Sequence, residues 1–324
     1  MRKRKFIIFS PPYNPKQGGV ICLHKLAHLI NLSGDQAYLF PAFENIEISR
    51  RDILVPILRL GRDFYRKVFE RYKTNSYFNT PIYDGKIKDL VSDEYIVIYY
   101  EQVFGNPLGA RNIVRWLLHR PGYHTGKVYY GFNELLVPFH NSVADFFYPH
   151  SKQSGFVMSI IHYPLEMYNM DGAMKKRIGT AYCIRKGKGK KIEHNQKDSV
   201  LIDNLPHADI ARIFKRVKTF VSYDTYTAYS RLAALCGCDS VVIPDPGVTE
   251  EEWFSNPDDR LGLAYGFENI EKARKTRAHL FQKIQDEHQK SFDDVKTFKE
   301  ECYQFFNQKR YAHFREKHVR KYNL

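Results

Sequence analysis

Short apolar runs alternate along the chain with segments whose apolar residues recur every three or four positions, the pattern of strands and helices following one another. Lys5-Phe6-Ile7-Ile8-Phe9 predicts a first strand. Ser10 to Gly19 is a loop, and Val20 to Ser33 predicts a helix with Val20, Leu23, Ala27 and Ile30 along one face. Gly34 is placed to end that helix, and Gln36-Ala37-Tyr38-Leu39-Phe40 predicts the second strand. Residues 44–90 are charged and carry no usable period. Tyr95-Ile96-Val97-Ile98-Tyr99-Tyr100 predicts a buried strand ending at Glu101. Asn106-Pro107-Leu108-Gly109 is a turn, and Ala110 to His119 predicts a helix with Ile113, Trp116 and Leu117 inward. Lys127-Val128-Tyr129-Tyr130 is a further strand candidate, and Asp145–Pro149 and Ser159–Pro164 look like later strands or their ends.

A boundary is expected near Asp171-Gly172. Beyond it Thr180-Ala181-Tyr182-Cys183-Ile184 opens a new strand, followed by the basic loop Arg185-Lys186-Gly187-Lys188-Gly189-Lys190-Lys191. Ser199-Val200-Leu201-Ile202 and Asp209 to Phe214 continue the strand–helix alternation. Phe220 to Gly247 then reads as strand, hydroxyl-rich turn (Asp224-Thr225-Tyr226-Thr227), helix (Ala228 to Leu235, stopped by Gly237) and buried strand (Ser240 to Pro244). Gly262 to Leu324 is mostly helical and charged. Alternating strands and helices in both halves imply two α/β domains with parallel sheets, expected at residues 1–175 and 176–290, with a helical basic tail at 291–324 that packs on the first domain or on a membrane surface.

A chain of 324 residues is comfortable for two domains, and 43% apolar residues fill two cores. Net charge is +14, which favours acidic partners: nucleic acid, anionic lipid or phosphorylated small molecules. The basic clusters lie in different elements, and no nucleic-acid-binding motif accompanies them, so nucleic acid is not expected as a partner. Five dispersed cysteines fit a reducing compartment. Cys236 and Cys238 are too close for a usual zinc pair and read as small buried residues. No apolar run is long enough to span a membrane. A cytosolic chain is expected, peripheral on an inner membrane. The C-terminal run from Lys309 to Lys321, with Tyr311, Phe314, Val319 and Tyr322 interleaved, suits either an anionic membrane face or solvent.

The candidate chemistry sits in four places. Gly18 and Gly19 are either a tight strand-to-helix turn or a point where a ligand approaches the backbone closely. The 185–191 loop is either a solvated basic loop or a clamp for a diphosphate. Asp224, Thr225, Thr227 and Ser230 either cap a helix or offer hydroxyls and N–H groups to phosphate oxygens. Glu101 is either a general base or a carboxylate paired with Arg111 or Arg115. His24, His119, His162 and His207 are further acid–base candidates, none singled out by spacing. No Asp-x-Asp occurs anywhere, which removes the simplest motif for a metal-bound nucleotide-sugar diphosphate.

Four segments resemble bacterial glycosyltransferases of surface polysaccharide synthesis, in the GT-B class. They are Gly18-Gly19 with VICLHKLAHLIN, the block at 96–122 (IVIYYEQVFGNPLGARNIVRWLLHRPG), the block at 223–247 (YDTYTAYSRLAALCGCDSVVIPDPG) and AYGFENIEKARKT at 264–276. The resemblance implies two Rossmann-like parallel-sheet domains facing a central cleft. The N-terminal domain takes the acceptor and the C-terminal domain the nucleotide-sugar. It implies transfer of a sugar from a nucleotide-diphosphate donor to a glycan or lipid-linked acceptor, in lipopolysaccharide or capsule assembly, with the donor as co-substrate and no metal or other cofactor. Carried over, it casts Arg185, Lys186 and Lys188 as diphosphate ligands, and Thr225, Thr227 and Ser230 as donor contacts. Asp224 becomes a cap or sugar-hydroxyl acceptor, Gly18 and Gly19 donor approaches, and Glu101 a base or acceptor-orienting group. The Glu-x7-Glu pattern of many retaining members has no counterpart, because Arg231 and Leu232 stand where the second carboxylate would follow Asp224. A non-catalytic scaffold or binding subunit on the same fold is the alternative.

Overall fold

The computed structural model describes residues 3–42 and 72–308. Most of the unassigned stretch 44–90 and the basic run 309–321 lie outside the described residues. The chain forms two compact units. The first runs to His162 and resumes at His288; the second is Tyr163–Glu287. The first division therefore falls ahead of the Asp171-Gly172 turn. No helix among the described residues is long and apolar enough to cross a membrane.

In the first unit the strands are β1 (Lys5–Ser10), β2 (Ala37–Pro41), β3 (Tyr95–Tyr100), β4 (Ile113–Leu117), β5 (Leu135–Pro138) and β6 (Lys152–Gln153). They lie in the order β2-β1-β3-β4-β5-β6, all parallel. Helix α1 (Gly18–Leu32) follows β1. Its stop is as expected: Gly34 takes φ +82°, and Asp35 N–H donates back to Ile30 O at 3.3 Å. Leu23, Leu26, Ala27 and Ile30 bury the helix against Phe6, Ile8, Ile96 and Ile98. The opposite face of the sheet is covered by loop residues such as Tyr83, Leu90, Val103 and Leu108.

The segment expected as a helix over Ala110–His119 is strand β4. Its five residues are all buried, and a strand buried on both faces loses the period-two alternation that marks half-exposed strands. Ile113, Trp116 and Leu117 mimic a helical face by spacing alone. What permits a strand is a partner for Arg115. Its Nε and Nη2 donate to Glu134 at 2.9 Å each, Nη1 to Val103 O at 2.7 Å and Nη2 to Gly105 O at 2.9 Å. The guanidinium lies between the rings of Tyr99 and Tyr130, at 5.0 and 4.3 Å. Lys127–Tyr130 is not a strand: Tyr130 leaves the sheet, its hydroxyl donating to Glu101 O at 2.7 Å. Asp145–Pro149 and Ser159–Pro164 are irregular too, and the strands of this region are β5 and β6.

In the second unit the strands are β7 (Thr180–Cys183), β8 (Ser199–Leu201), β9 (Thr219–Ser222), β10 (Asp239–Val242) and β11 (Leu263–Tyr265), ordered β11-β10-β9-β7-β8 and again all parallel. Helices α2 (His207–Phe214) and α3 (Tyr229–Leu235) pack on one face through Ile210, Phe214, Leu232 and Leu235. The short helix α4 (Glu250–Trp253) follows β10. The last helix, α5 (Ile270–Asn307), is continuous from the second unit into the first, so the tail does not begin as a separate element at 291. Its first turns are tied to β10, where Arg274 Nε and Arg277 Nη2 donate to Asp239 at 2.8 and 3.0 Å. Its later turns join the first core through Phe298, Tyr303 and Phe305, with Lys299 donating to Asp35 at 2.6 Å. The fold class expected, two Rossmann-like parallel sheets with a helical C-terminal segment, is the one observed.

Replacing Arg115 by Met leaves Glu134 buried and unpaired, which costs about 3–5 kcal/mol. Guanidinium unfolding followed by Trp116 emission, in a Trp253→Phe background, should show that loss. The double variant Arg115→Met/Glu134→Leu should recover most of it. A single variant within about 1 kcal/mol of the parent contradicts this reading of β4.

Candidate functional site

In a doubly wound sheet, ligands bind beyond the carboxyl ends of the strands, where successive connections leave in opposite directions. In the second unit the chain passes from β7 to β8 on one side and returns to β9 on the other. The two loops that part there are 184–194, after β7, and 223–228, after β9. Those segments carry Arg185, Lys186, Lys188, Asp224, Thr225 and Thr227 of the predicted donor residues; Ser230 follows in α3, and Gly18 and Gly19 belong to the first unit.

The β7 loop is built by hydrogen bonds and one close approach. The Ile184 and Arg185 N–H groups donate to the Asp203 carboxylate at 3.1 and 3.0 Å. Arg185 takes φ +42°, in the left-handed region that non-glycine residues seldom occupy. Gly187 N–H then donates to Ile184 O at 2.7 Å. A Cβ at Gly187 would lie 1.9 Å from Tyr223 O, so the loop can cross the end of β9 only with glycine there. Three residues on, Lys190 Nζ meets Asp245 Oδ1 at 2.7 Å, Ile243 O at 2.7 Å and Thr225 Oγ1 at 3.1 Å. Thr225 Oγ1 donates in turn to Asp245 Oδ2 at 2.7 Å, and Trp253 Nε1 donates to Thr225 O at 2.9 Å. Hydrogen bonds from Lys190 and Thr225 hold the Asp245 carboxyl below the usual carboxylate range, against a smaller opposing effect of burial.

This anchoring leaves other cations outside. Lys186 and Lys188 are exposed, and neither forms an ion pair among the described residues. Arg185 lies 3.5 Å from Asp224 Oδ2 and over the Tyr229 ring at 5.3 Å. Asp224 accepts from Tyr226 N–H at 3.3 Å, and Thr227 Oγ1 from Tyr229 N–H at 3.3 Å, so both brace the turn that enters α3. Helix α3 has only seven residues, which makes cations and hydroxyls, rather than its dipole, the stronger attraction for an anion. Ser230 stands apart: its hydroxyl is enclosed, without a hydrogen bond among the described residues. The structure thus brings Arg185, Asp224 and Thr225 together, and adds Lys190, Asp245 and Gly187. In the sequence Lys190 is one cation of the 185–191 loop, and nothing local marks Asp245 as its partner.

The first unit has its own switch point, between β1 and β3. Beside it a cavity of about 680 Å³ is lined by Pro11 to Pro15, Gln17, Lys73 and Thr74. Gly18 and Gly19 are the first residues of α1 rather than part of the loop. Neither has a positive φ, and a Cβ at Gly18 would meet nothing within 4 Å. Glu101 is buried, accepts from Leu118 N–H at 3.2 Å and from Gln102 Nε2 at 3.1 Å, and does not pair with Arg115, which Glu134 holds. His24 is pushed down to about 4, mainly by burial, and its Nε2 faces Pro11 O at 3.0 Å. His162 is pushed down to about 3 by burial, with Lys25, His288 and His28 adding to the effect. Both imidazoles are therefore neutral near pH 7. Cys236 and Cys238 are buried, which raises each thiol to about 12 and agrees with their reading as core residues.

No protein-family model matches the chain, and no curated protein matches its sequence. Solved structures do resemble it. A mutant of the Thermobaculum terrenum O-GlcNAc transferase is 10% identical, over 94% of this chain and 68% of that one, with TM-score 0.41. A UDP-N-acetylglucosamine 2-epimerase is 11% identical, over 95% and 98%, with TM-score 0.38. The T4 phage BGT in complex with UDP-glucose is 9% identical, over 94% and 97%, with TM-score 0.34. Similarities at this level assign neither an activity nor a residue's role.

Removing the Lys190 cation should change the acid response of stability. Because Asp245 is held below its ordinary value, its contacts contribute fully above the unfolded carboxylate pKa of about 3.9. They are lost as pH falls through the lower folded value. Urea unfolding across a pH series should show Lys190→Met less stable than the parent at neutral pH, with the gap narrowing below pH ~4. A gap that stays constant into acid contradicts the pairing.

Proposed function

We propose that the chain is a glycosyltransferase that moves a sugar from a nucleotide-diphosphate donor to a glycan or lipid-linked acceptor in bacterial surface polysaccharide assembly. The observation that carries this reading is the group of cations and hydroxyls at the switch point of the second unit. Arg185, Lys186 and Lys188 are presented there on a loop held in place by Gly187 and Lys190. Such a group suits a diphosphate, whose charge it neutralises without a metal ion. In the proposed reaction the acceptor hydroxyl oxygen forms the new bond to the anomeric carbon as the bond to the diphosphate oxygen breaks. The leaving diphosphate takes the electron pair, and cations already in place stabilise it. Thr227, with Thr225 and Asp224 behind it, would orient the donor.

The acceptor's proton needs a base, and Glu101 is the proposed group. Its carboxylate accepts two hydrogen bonds and keeps lone pairs free for a third. The same bonds favour the second reading, a non-catalytic subunit that binds nucleotide-sugars, because they tie Glu101 to the protein. A membrane face for the enzyme, on the cytoplasmic side where lipid-linked acceptors are assembled, belongs to the first reading.

Isothermal calorimetry with a panel of nucleoside diphosphates tests the donor site. Arg185→Ala should weaken binding at least about tenfold, the worth of a charge-assisted hydrogen bond, and Thr227→Ala about fivefold. Unchanged affinity for every nucleotide that binds the parent removes the assignment. Sustained release of nucleoside diphosphate from a nucleotide-sugar would exclude the non-catalytic reading.

A further inference from the structure

The second unit carries another charged surface, at the amino edge of its sheet, opposite the loops just described. Two segments meet there. Residues 170–179 lead into β7 and residues 214–218 lead into β9. Met174 N–H donates to Lys215 O at 2.9 Å, and the Lys218 and Thr219 N–H groups donate to Gly179 O at 3.1 and 3.3 Å. Arg177 clasps the two from within, donating to Phe214 O at 3.0 Å and Val217 O at 3.3 Å. Met170 rests over Gly237, where a Cβ would come within 2.6 Å of its sulfur. The surface is therefore held in shape.

What it presents is unusual. Met170, Met174 and Ile178 are 58%, 49% and 74% exposed, three large apolar side chains within nine residues. Lys175, Lys176, Arg216 and Lys218 are exposed around them. Asp171 is the one acidic residue in the two segments. Clustered exposed apolar groups mark a docking surface, and exposed cations on the same two segments select an anionic one. A nucleic acid would satisfy the cations and leave the methionines and isoleucine without an apolar counterpart. A bilayer with acidic headgroups satisfies both, since the cations meet the headgroups while the apolar side chains enter the acyl boundary.

We propose that residues 170–178, with Arg216 and Lys218, seat the second unit on an anionic lipid surface. This names the place of the membrane face in the reading above and does not depend on sugar transfer. Cosedimentation of the full chain with vesicles of equal parts phosphatidylcholine and phosphatidylglycerol, without nucleotide, tests it. The parent should partition to these vesicles and only weakly to pure phosphatidylcholine. Met174→Asp/Ile178→Asp should lower partitioning about tenfold, and Lys175→Gln/Lys176→Gln about fivefold per cation. All four positions are exposed, so thermal melting should be unchanged; should the aspartate pair melt lower, Met174→Ser/Ile178→Ser replaces it. Failure of the parent to bind anionic vesicles overturns the proposal. So does equal binding by the apolar variants, which would move the contact to another basic segment such as 309–321. Binding of an oligonucleotide that is lost in Lys175→Gln/Lys176→Gln, with vesicles ignored, overturns it in favour of nucleic acid. None of these outcomes bears on nucleotide binding by the opposite edge of the sheet.

Discussion

The loop that leaves β7 crosses the end of β9 at a distance only glycine permits, with Gly187 against the backbone of Tyr223. Much of the second unit's chemistry follows from that approach. It sets the direction of the chain so that Lys190 reaches back to Asp245, Thr225 and Ile243 O, joining the loops after β7, β9 and β10. One lysine is spent as an internal strut, and its neighbours Lys186 and Lys188 are left to solvent. A basic loop that would otherwise sample many shapes is fixed in one. Preorganised cations bind an anion with less ordering cost than cations on a free loop.

The sheet order governs where that loop can act. Both units place their second strand on one side of the first and their third on the other. Each therefore has a switch point with its connections diverging. In the second unit the cationic loop occupies it; in the first unit it opens beside the cavity between Pro11 and Thr74. The amino edge of the second sheet is free of those demands. Its strands of three or four residues span about 10–13 Å. On the proposed reading, that separation lets one edge address a soluble nucleotide and the other a surface without competing for the same cations.

Most of the fold was legible because the short apolar runs of buried parallel strands are compact signals. β1, β3, β7 and β9 fall within a residue or so of their expected places. β4 was not legible, and the cause is physical. Its buried Arg115 is compatible with a central strand only through Glu134, 19 residues away, and a lone sequence does not say which carboxylate will answer. The handover within α5 was less legible for a related reason: the helix has no internal stop, so nothing local marks where it passes from one unit to the other. At the site, the hydroxyl-rich turn and basic loop were visible as residue types. The division of labour among the lysines was not, because Lys190 and Lys188 differ only in what the fold brings beside them. Glu101 was visible as a carboxylate at a strand end; its bond from Leu118 N–H depends on β4, the element that was misread.

The central claim is that the loop pinned by Gly187 and Lys190 is a nucleoside diphosphate site. A crystal structure of the chain with a nucleoside diphosphate bound tests it most directly. The account predicts phosphate oxygens within hydrogen-bonding distance of the Arg185 and Lys186 or Lys188 side chains, with the Lys190–Asp245 contact intact. A nucleotide bound elsewhere, or phosphates seated in this unit with Arg185 still turned to Asp224 and the lysines in solvent, would contradict it.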